Sequence, residues 1–112
     1  MLNQVVIAGR LVNDPALEEK EEGKKVVTIT VSVTRSYKNV DGTYETDFIK
    51  CILWNGIAEN CHEYCKKGDI VGVKGRIQTT VKETGSGEKD YSMDIVAEKV
   101  SFLSCGRKEQ ED

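Results

Sequence analysis

Alternation of apolar and polar residues is the strongest pattern in the chain. Between residues 26 and 34, four aliphatic side chains alternate with four hydroxyl-bearing ones: Val27, Ile29, Val31 and Val33 against Thr28, Thr30, Ser32 and Thr34. A period of two is typical of a strand with one buried face. An earlier β-rich segment, residues 5–12, stops at the turn signal Asn13-Asp14-Pro15, and residues 18–24 are predicted to form a charged hairpin tip.

The second half of the chain predicts one helix followed by two further strands. A third strand is predicted over residues 46–55 and a helix over residues 56–67, ended by Gly68 with Lys66 and Lys67 in its last turn. Residues 70–82 and 91–103 are then predicted as strands, and Gly72 and Gly75 inside the first of them indicate bulges or tight coiling.

This order of elements favours an all-β fold. Five strands with one helix between strands three and four are typical of the oligonucleotide/oligosaccharide-binding (OB) barrel. An SH3-like barrel or a small α+β sheet fits the same pattern. The predicted domain covers residues 1–105, and residues 106–112 are predicted as a short charged C-terminal tail.

The third predicted strand has two largely apolar faces, although a barrel strand needs only one buried face. Ile49, Cys51 and Leu53 form the more aliphatic face and are the better core candidates. The other face then displays Phe48 and Trp54 with Lys50 between them. Aromatic rings separated by a cation suit single-stranded nucleic acid, whose unpaired bases stack while its phosphates meet the cation. The alternative is a second hydrophobic face that a loop or a partner chain covers.

Tyr37 supports the nucleic-acid interpretation. It lies between Arg35 and Lys38 at the predicted end of the second strand, next to the strand that carries Phe48 and Trp54. An isolated tyrosine at such a position is more often a surface residue with no binding role. Together with two rings on a neighbouring strand, it favours a stacking platform.

Composition and charge restrict the function further. The chain has 112 residues, which is about one domain. Its net charge is −3, so it is not a simple polycation, and any anion-binding face must be built locally.

No apolar run approaches the ~20 residues of a membrane span, and the first residues do not resemble a secretory signal, so a cytoplasmic location is expected. No catalytic motif or cofactor-binding loop is present, so we expect neither an enzyme nor a bound cofactor.

Several segments resemble one family. They are residues 1–15, Thr34-Arg35-Ser36-Tyr37, Asp47-Phe48-Ile49, Ala58-Glu59-Asn60, Tyr64, Lys67-Gly68-Asp69 and residues 73–79. Over about residues 1–105 the chain resembles the bacterial single-stranded DNA-binding proteins. The resemblance implies an OB fold, a homotetramer, and sequence-independent binding of single-stranded DNA in replication, recombination and repair at the nucleoid. It also implies base stacking on Tyr37, Phe48 and Trp54.

The resemblance places a fourth stacking aromatic on the hairpin after the fourth predicted strand, where this chain has Lys82. Contact there is expected to be ionic, with Tyr91 across the hairpin as a possible substitute. The cations expected near the phosphate path are Arg10, Arg35, Lys38, Lys50, Lys74, Arg76 and Lys82. Of these, Lys74, Arg76 and Lys82 share strand parity and line one face unless a bulge intervenes.

Cys61, His62 and Cys65 look like a metal motif at first sight. Zinc takes four ligands, and His62 would project from a different helix face, so buried thiols and no metal are expected. Cys51 lies on the proposed core face, whereas Cys105 follows the last strand, where a thiol can be exposed. His62 is expected to face solvent.

The C-terminal residues of the chain affect which protein partners are expected. The family usually continues into a flexible linker with an acidic, apolar-ended tip, whereas residues 106–112 are charged or polar with no terminal hydrophobe. Recruitment of repair proteins through such a tail is therefore not expected. The second hypothesis is a tail-less OB protein of the primosomal kind, which acts mainly through protein contacts.

Overall fold

The computed structural model describes residues 1–104. In this range there are six strands, one α-helix and one 3₁₀ turn. They are β1 (Val5–Leu11), β2 (Leu17–Glu19), the 3₁₀ turn (Glu21–Gly23), β3 (Lys25–Lys38), β4 (Tyr44–Trp54), α1 (Asn55–Tyr64), β5 (Ile70–Glu83) and β6 (Lys89–Ser104).

The strands form one sheet that closes on itself. Its order is β1-β5-β6-β4-β3-β2, and β1 also pairs with β3 through Arg10 opposite Ser32 and Leu11 opposite Val31. The predicted five-stranded OB barrel is confirmed, with the helix after the third of the five long strands. The short strand β2 is an addition. It begins one residue before the predicted hairpin tip, residues 18–24, and pairs with β3 at residues 25–27.

The barrel interior is filled by the faces that the alternation predicts. Val27, Ile29 and Val31 of β3 and Cys51 and Leu53 of β4 are fully buried. They pack with residues of β1, β5 and α1 in one cluster, against which Val33 and Ile49 are partly buried. The prediction that Ile49, Cys51 and Leu53 face the core is confirmed, so the opposite face of β4 points outward.

Close strand approach explains one of the glycines predicted inside β5. A Cβ on Gly75 would collide with the carbonyl oxygen of Val96. The register between β5 and β6 shifts beside Gly75, with the extra residue, Glu98, in β6. Because the bulge lies in β6, the side chains of β5 keep their alternation.

The predicted end of the helix is wrong. Helix α1 ends at Tyr64, and Cys65 already has extended backbone angles, with φ −123° and ψ 155°. After the helix, two carboxylates accept hydrogen bonds from backbone N–H groups. Asp69 accepts from the N–H of Lys66 at 2.9 Å, and Asp14 accepts from the N–H of Lys67 at 2.7 Å. These contacts hold the chain in a turn where the sequence predicts a further helical turn.

Gly68 therefore does not cap the helix. It has φ +96°, which favours glycine, and its N–H donates to the carbonyl of Leu11 at 2.9 Å. Lys66 pairs with Asp69 at 3.6 Å, beyond the helix end. The segment after α1 therefore fastens the helix end to β1.

Candidate nucleic-acid interface

The outer face of β4 carries the two predicted stacking rings on that strand. The side chain of Phe48 is 67% exposed and that of Trp54 is 38% exposed, with Lys50 exposed between them. Six residues of strand separate the two rings by roughly 20 Å, so one base cannot stack on both. Strand pairing places Ser32 opposite Phe48 and Val26 opposite Trp54. The face therefore offers two separate stacking positions.

Tyr37 lies at an irregularity of the same hairpin. The pairing of β3 with β4 runs regularly to Thr34 opposite Thr46 and resumes only at Lys38 opposite Tyr44. Tyr37 falls between these pairs and is 63% exposed. All three rings predicted to stack are thus exposed on the β3–β4 hairpin.

Tyr44 is a further aromatic on this hairpin that the sequence analysis did not select. Its ring is 53% exposed, and the Lys38 Nζ lies 5.7 Å from the ring centroid. That distance is within the range of a cation–π contact. The signal in the sequence that could have identified Tyr44 was the Asp41-Gly42 turn, because a turn there brings the residues on its two sides together.

Arg35 is held by acidic neighbours. Its guanidinium donates to both carboxylate oxygens of Asp47, and its Nη1 lies 3.4 Å from Oε1 of Glu45. The hydrogen bond from Arg35 keeps the pKa of Asp47 below its ordinary value of 3.8. The charge of this predicted phosphate contact is therefore already compensated within the hairpin.

Three more of the predicted cations also have partners. Lys50 lies 3.8 Å from the mostly buried carboxylate of Asp94, and Arg76 lies 3.8 Å from the exposed carboxylate of Glu98. Arg10 donates through Nη1 to the carbonyl of Gly68 at 2.9 Å. The two ion pairs are long and partly exposed, and such pairs are worth at most about 1 kcal/mol, so a phosphate can compete for these lysine and arginine groups.

Among residues 1–104, four of the predicted cations have no ion pair: Arg10, Lys38, Lys74 and Lys82. Arg10 donates to a backbone carbonyl and Lys38 lies over the Tyr44 ring, which leaves Lys74 and Lys82 with neither kind of contact. Both are exposed. With Arg76 they keep the same strand parity, because the irregularities of the β5–β6 ladder leave the extra residues in β6. The parity expected from the sequence is therefore present in the structure.

Tyr91 does not share a face with Lys82. In the β5–β6 hairpin Lys82 is opposite Asp90, whereas Tyr91 is opposite Val81. Tyr91, Val81 and Met93 are 70%, 51% and 68% exposed, and alternation places them on the other face of the hairpin. A base that approached Lys82 would not meet this tyrosine on the same side.

Trp54 borders a cleft that the sequence analysis did not anticipate. Its other lining residues come from the tip between β2 and β3, Lys20, Glu21, Glu22 and Lys24, and the cleft has a volume of about 480 Å³. The pairing of Val26 with Trp54 brings the tip to the ring. The sequence signal was the charged tip itself, but its position beside Trp54 follows only from the strand register.

The cysteine motif is part of the core. Cys51, Cys61 and Cys65 are buried, as predicted, and burial raises the pKa of Cys51 to about 11. His62 is exposed, with Nδ1 2.8 Å from the carbonyl oxygen of Pro15. Within residues 1–104 no group of three or more His, Cys, Asp or Glu side chains is arranged to hold a metal ion. Cys105 lies outside the described residues.

No helix among residues 1–104 has the length and apolar character needed to cross a bilayer.

Comparisons with known proteins place the chain in a family. The model of the single-strand binding protein family matches residues 2–103. Single-stranded DNA-binding protein B of Bacillus subtilis is 44% identical over 103 residues, which are 92% of this chain and 91% of the relative. Single-stranded DNA-binding protein 3 of Listeria innocua is 46% identical over 92% of this chain, which spans only 64% of that relative. The chain therefore belongs to the single-strand binding protein family.

Proposed function

We propose that this protein binds single-stranded DNA without sequence preference and protects it during replication, recombination and repair. The observation that carries the proposal is the exposure of Tyr37, Phe48 and Trp54 on one hairpin, with Lys38 and Lys50 beside them. The names of the relatives from Bacillus subtilis and Listeria innocua support the same ligand. In this proposal the protein is a binding module of the cytoplasmic nucleoid, without catalysis and without a cofactor.

Stacking supplies the part of the affinity that does not depend on salt. Base–aromatic stacking is worth about 1–3 kcal/mol per base and tolerates any sequence, because every base has a π-face. Duplex DNA hides its bases in its own stack, so the exposed rings favour single strands.

Electrostatics supplies the part that depends on salt. Phosphate contacts release counterions, so affinity falls as salt concentration rises, with a slope of about −0.7 per contact for single strands. Lys74 and Lys82 are available for such contacts, whereas Arg35 is already paired. With a net charge of −3, we expect a shallower salt dependence than a basic relative would show.

Assembly into a homotetramer is part of the proposal. Strand β1 pairs with β5 over residues 5–10, but with β3 only at Arg10 and Leu11. Within residues 1–104 the other edge of β1 is therefore left without a strand over residues 5–9, and Val6 on this strand is 72% exposed. An open edge with exposed apolar side chains supports pairing between copies. Several sites in one assembly would then raise the avidity for a long strand.

The test uses the fluorescence of Trp54, which is the only tryptophan in the chain. Oligo-dT is titrated into the protein at low and high salt, and anisotropy of a labelled oligonucleotide measures the affinity independently. We expect saturable quenching that weakens with salt, and little binding of a duplex of the same length. Absence of both quenching and anisotropy change would overturn the proposal in favour of an OB protein that contacts other proteins.

A further inference from the structure

We propose that Trp54 and the tip at residues 20–24 form a pocket for one nucleotide at the end of the DNA path on each chain. In this pocket the base stacks on Trp54 and Lys24 contacts its phosphate, while Glu21 and Glu22 turn the following phosphate away. The inference rests on the proposed function and assigns to it a segment, residues 20–24, that lies outside the hairpin carrying the three rings.

The tip is held in place by backbone contacts. The N–H of Lys20 donates to the carbonyl of Lys24 at 2.6 Å, and the N–H of Lys24 to that of Glu21 at 3.4 Å. Glu22 and Gly23 have φ values of +63° and +75°, so the chain reverses within two residues. The tip is thus a closed turn whose backbone has a defined position relative to Trp54.

The base of the tip is fastened beside the ring. The N–H of Lys25 donates to Oδ1 of Asn55, the residue after Trp54, at 3.2 Å. The Lys25 Nζ lies 2.7 Å from Oε2 of Glu59, and this contact raises the pKa of the lysine. Lys25 therefore joins the tip to α1, and both walls of the cleft belong to one connected unit.

The cleft has the size and the polarity for a nucleotide. Its volume of about 480 Å³ lies in a groove open to solvent and leaves room for a base on the indole of Trp54. One wall is the partly exposed indole of Trp54, and the other carries the side chains of two lysines and two glutamates. A base that stacks on the indole therefore has cations within the same cleft for its phosphate.

The contacts of the lysines single out Lys24. Lys25 is bound to Glu59, and Lys20 lies 3.6 Å from Glu18. Lys24 has no ion pair with any of residues 1–104. It is therefore the cation in the cleft that can take a phosphate without giving up another partner.

The two glutamates of the tip limit the pocket to one phosphate. Glu21 and Glu22 line the same cleft, so its formal charge with the two lysines is balanced. A single phosphate on Lys24 is tolerated, whereas a second phosphate that crosses the tip meets two carboxylates at short range. A strand that arrives from Phe48 along β4 therefore ends its contact, or turns away, at Trp54.

The first test compares Lys24→Gln with Lys67→Gln, a matched control at a lysine beyond the opposite end of α1. The probe is oligo-dT of about 16 nucleotides, the upper end of the usual site size for one OB fold. We expect Lys24→Gln to lower affinity at low salt and to reduce the slope of log affinity against log salt by about 0.7. Trp54 quenching at saturation should be unchanged, and Lys67→Gln should behave as wild type.

The second test is the double variant Glu21→Gln/Glu22→Gln. We expect it to bind oligo-dT more tightly than wild type at low salt, and the gain to disappear at high salt. A wild-type slope for Lys24→Gln, or unchanged affinity for the double variant, would overturn the pocket while leaving single-strand binding intact. If oligo-dT neither quenches the fluorescence of the wild-type protein nor binds to it, the proposed function and the pocket are both wrong.

Discussion

The guanidinium of Arg35 forms a bidentate ion pair with the carboxylate of Asp47. Nη2 donates to Oδ1 at 2.9 Å and Nε donates to Oδ2 at 3.1 Å. Two parallel hydrogen bonds fix the geometry of such a pair more strictly than a single contact does. The pair joins β3 to β4 two residues before Tyr37, so it stiffens the part of the hairpin that carries this ring.

We predict that Arg35 is not a phosphate contact. The double variant Arg35→Gln/Asp47→Asn removes the pair without changing net charge. It should therefore keep the wild-type salt slope for oligo-dT, measured by fluorescence anisotropy. A slope that is shallower by about 0.7 would instead place a phosphate on Arg35, as the sequence analysis expected.

The pair between Arg35 and Asp47 also makes the free energy of unfolding depend on pH. The pKa of Asp47 in the folded chain is below its ordinary value of 3.8, because Arg35 stabilises the carboxylate. As pH falls, Asp47 is therefore protonated in the unfolded chain before it is protonated in the folded chain. The stabilisation from the pair is complete near neutral pH and is lost as pH falls through the pKa of Asp47 in the folded chain.

Thermal unfolding of wild type and Asp47→Asn between pH 7 and pH 2.5 measures this contribution. We expect the wild type to be more stable at pH 7 and the difference to shrink below about pH 4. A difference that stays constant to the lowest pH would show that the substitution acts by another route.

Phe48 should contribute to binding but little to folding. Its ring is 67% exposed, and substitutions at exposed sites usually change the free energy of unfolding by less than about 0.5 kcal/mol. Phe48→Ala should therefore fold as wild type and lose about 1–3 kcal/mol of binding free energy, measured by titration with oligo-dT.

Tyr64→Leu is the control for Phe48→Ala. The Tyr64 ring packs 6.1 Å from that of Phe102, at the end of α1 rather than on the β3–β4 hairpin. Equal losses of affinity in the two variants would show that the effect does not come from stacking on the outer face of β4.

Local alternation carried most of the fold and part of the site. Alternation divided the strand into two faces, and the more aliphatic composition of one face correctly placed Cys51 and Leu53 inside and Phe48 and Trp54 outside. It did not find the pairing of Arg35 with Asp47 or the cleft at Trp54, since both depend on which residues of separate segments the register brings together. The helix end was missed for a similar reason, because Asp14, from a distant part of the chain, binds the N–H of Lys67.

The buried thiols should resist modification in the folded protein. Burial raises the pKa of Cys51 to about 11, so at pH 8 it has almost no thiolate, and Cys61 and Cys65 are also buried. In a Cys105→Ser variant, which leaves only these three, a thiol reagent should react slowly before denaturation and with three groups after it. Rapid reaction in the native state would contradict the placement of these residues in the core.

Gly75 should be among the least replaceable residues of the barrel. A Cβ at this position would collide with the carbonyl oxygen of Val96 on the neighbouring strand, and backbone cannot move aside as a flexible side chain can. Overpacking of this kind usually costs about 1–3 kcal/mol, and we expect Gly75→Ala to lie at the upper end of that range in chemical denaturation. Gly85→Ala is the matched control, because nothing lies within 4 Å of a Cβ built there. If both variants unfold at the wild-type denaturant concentration, β5 and β6 do not approach each other closely at Gly75, and the glycine is not required for barrel closure.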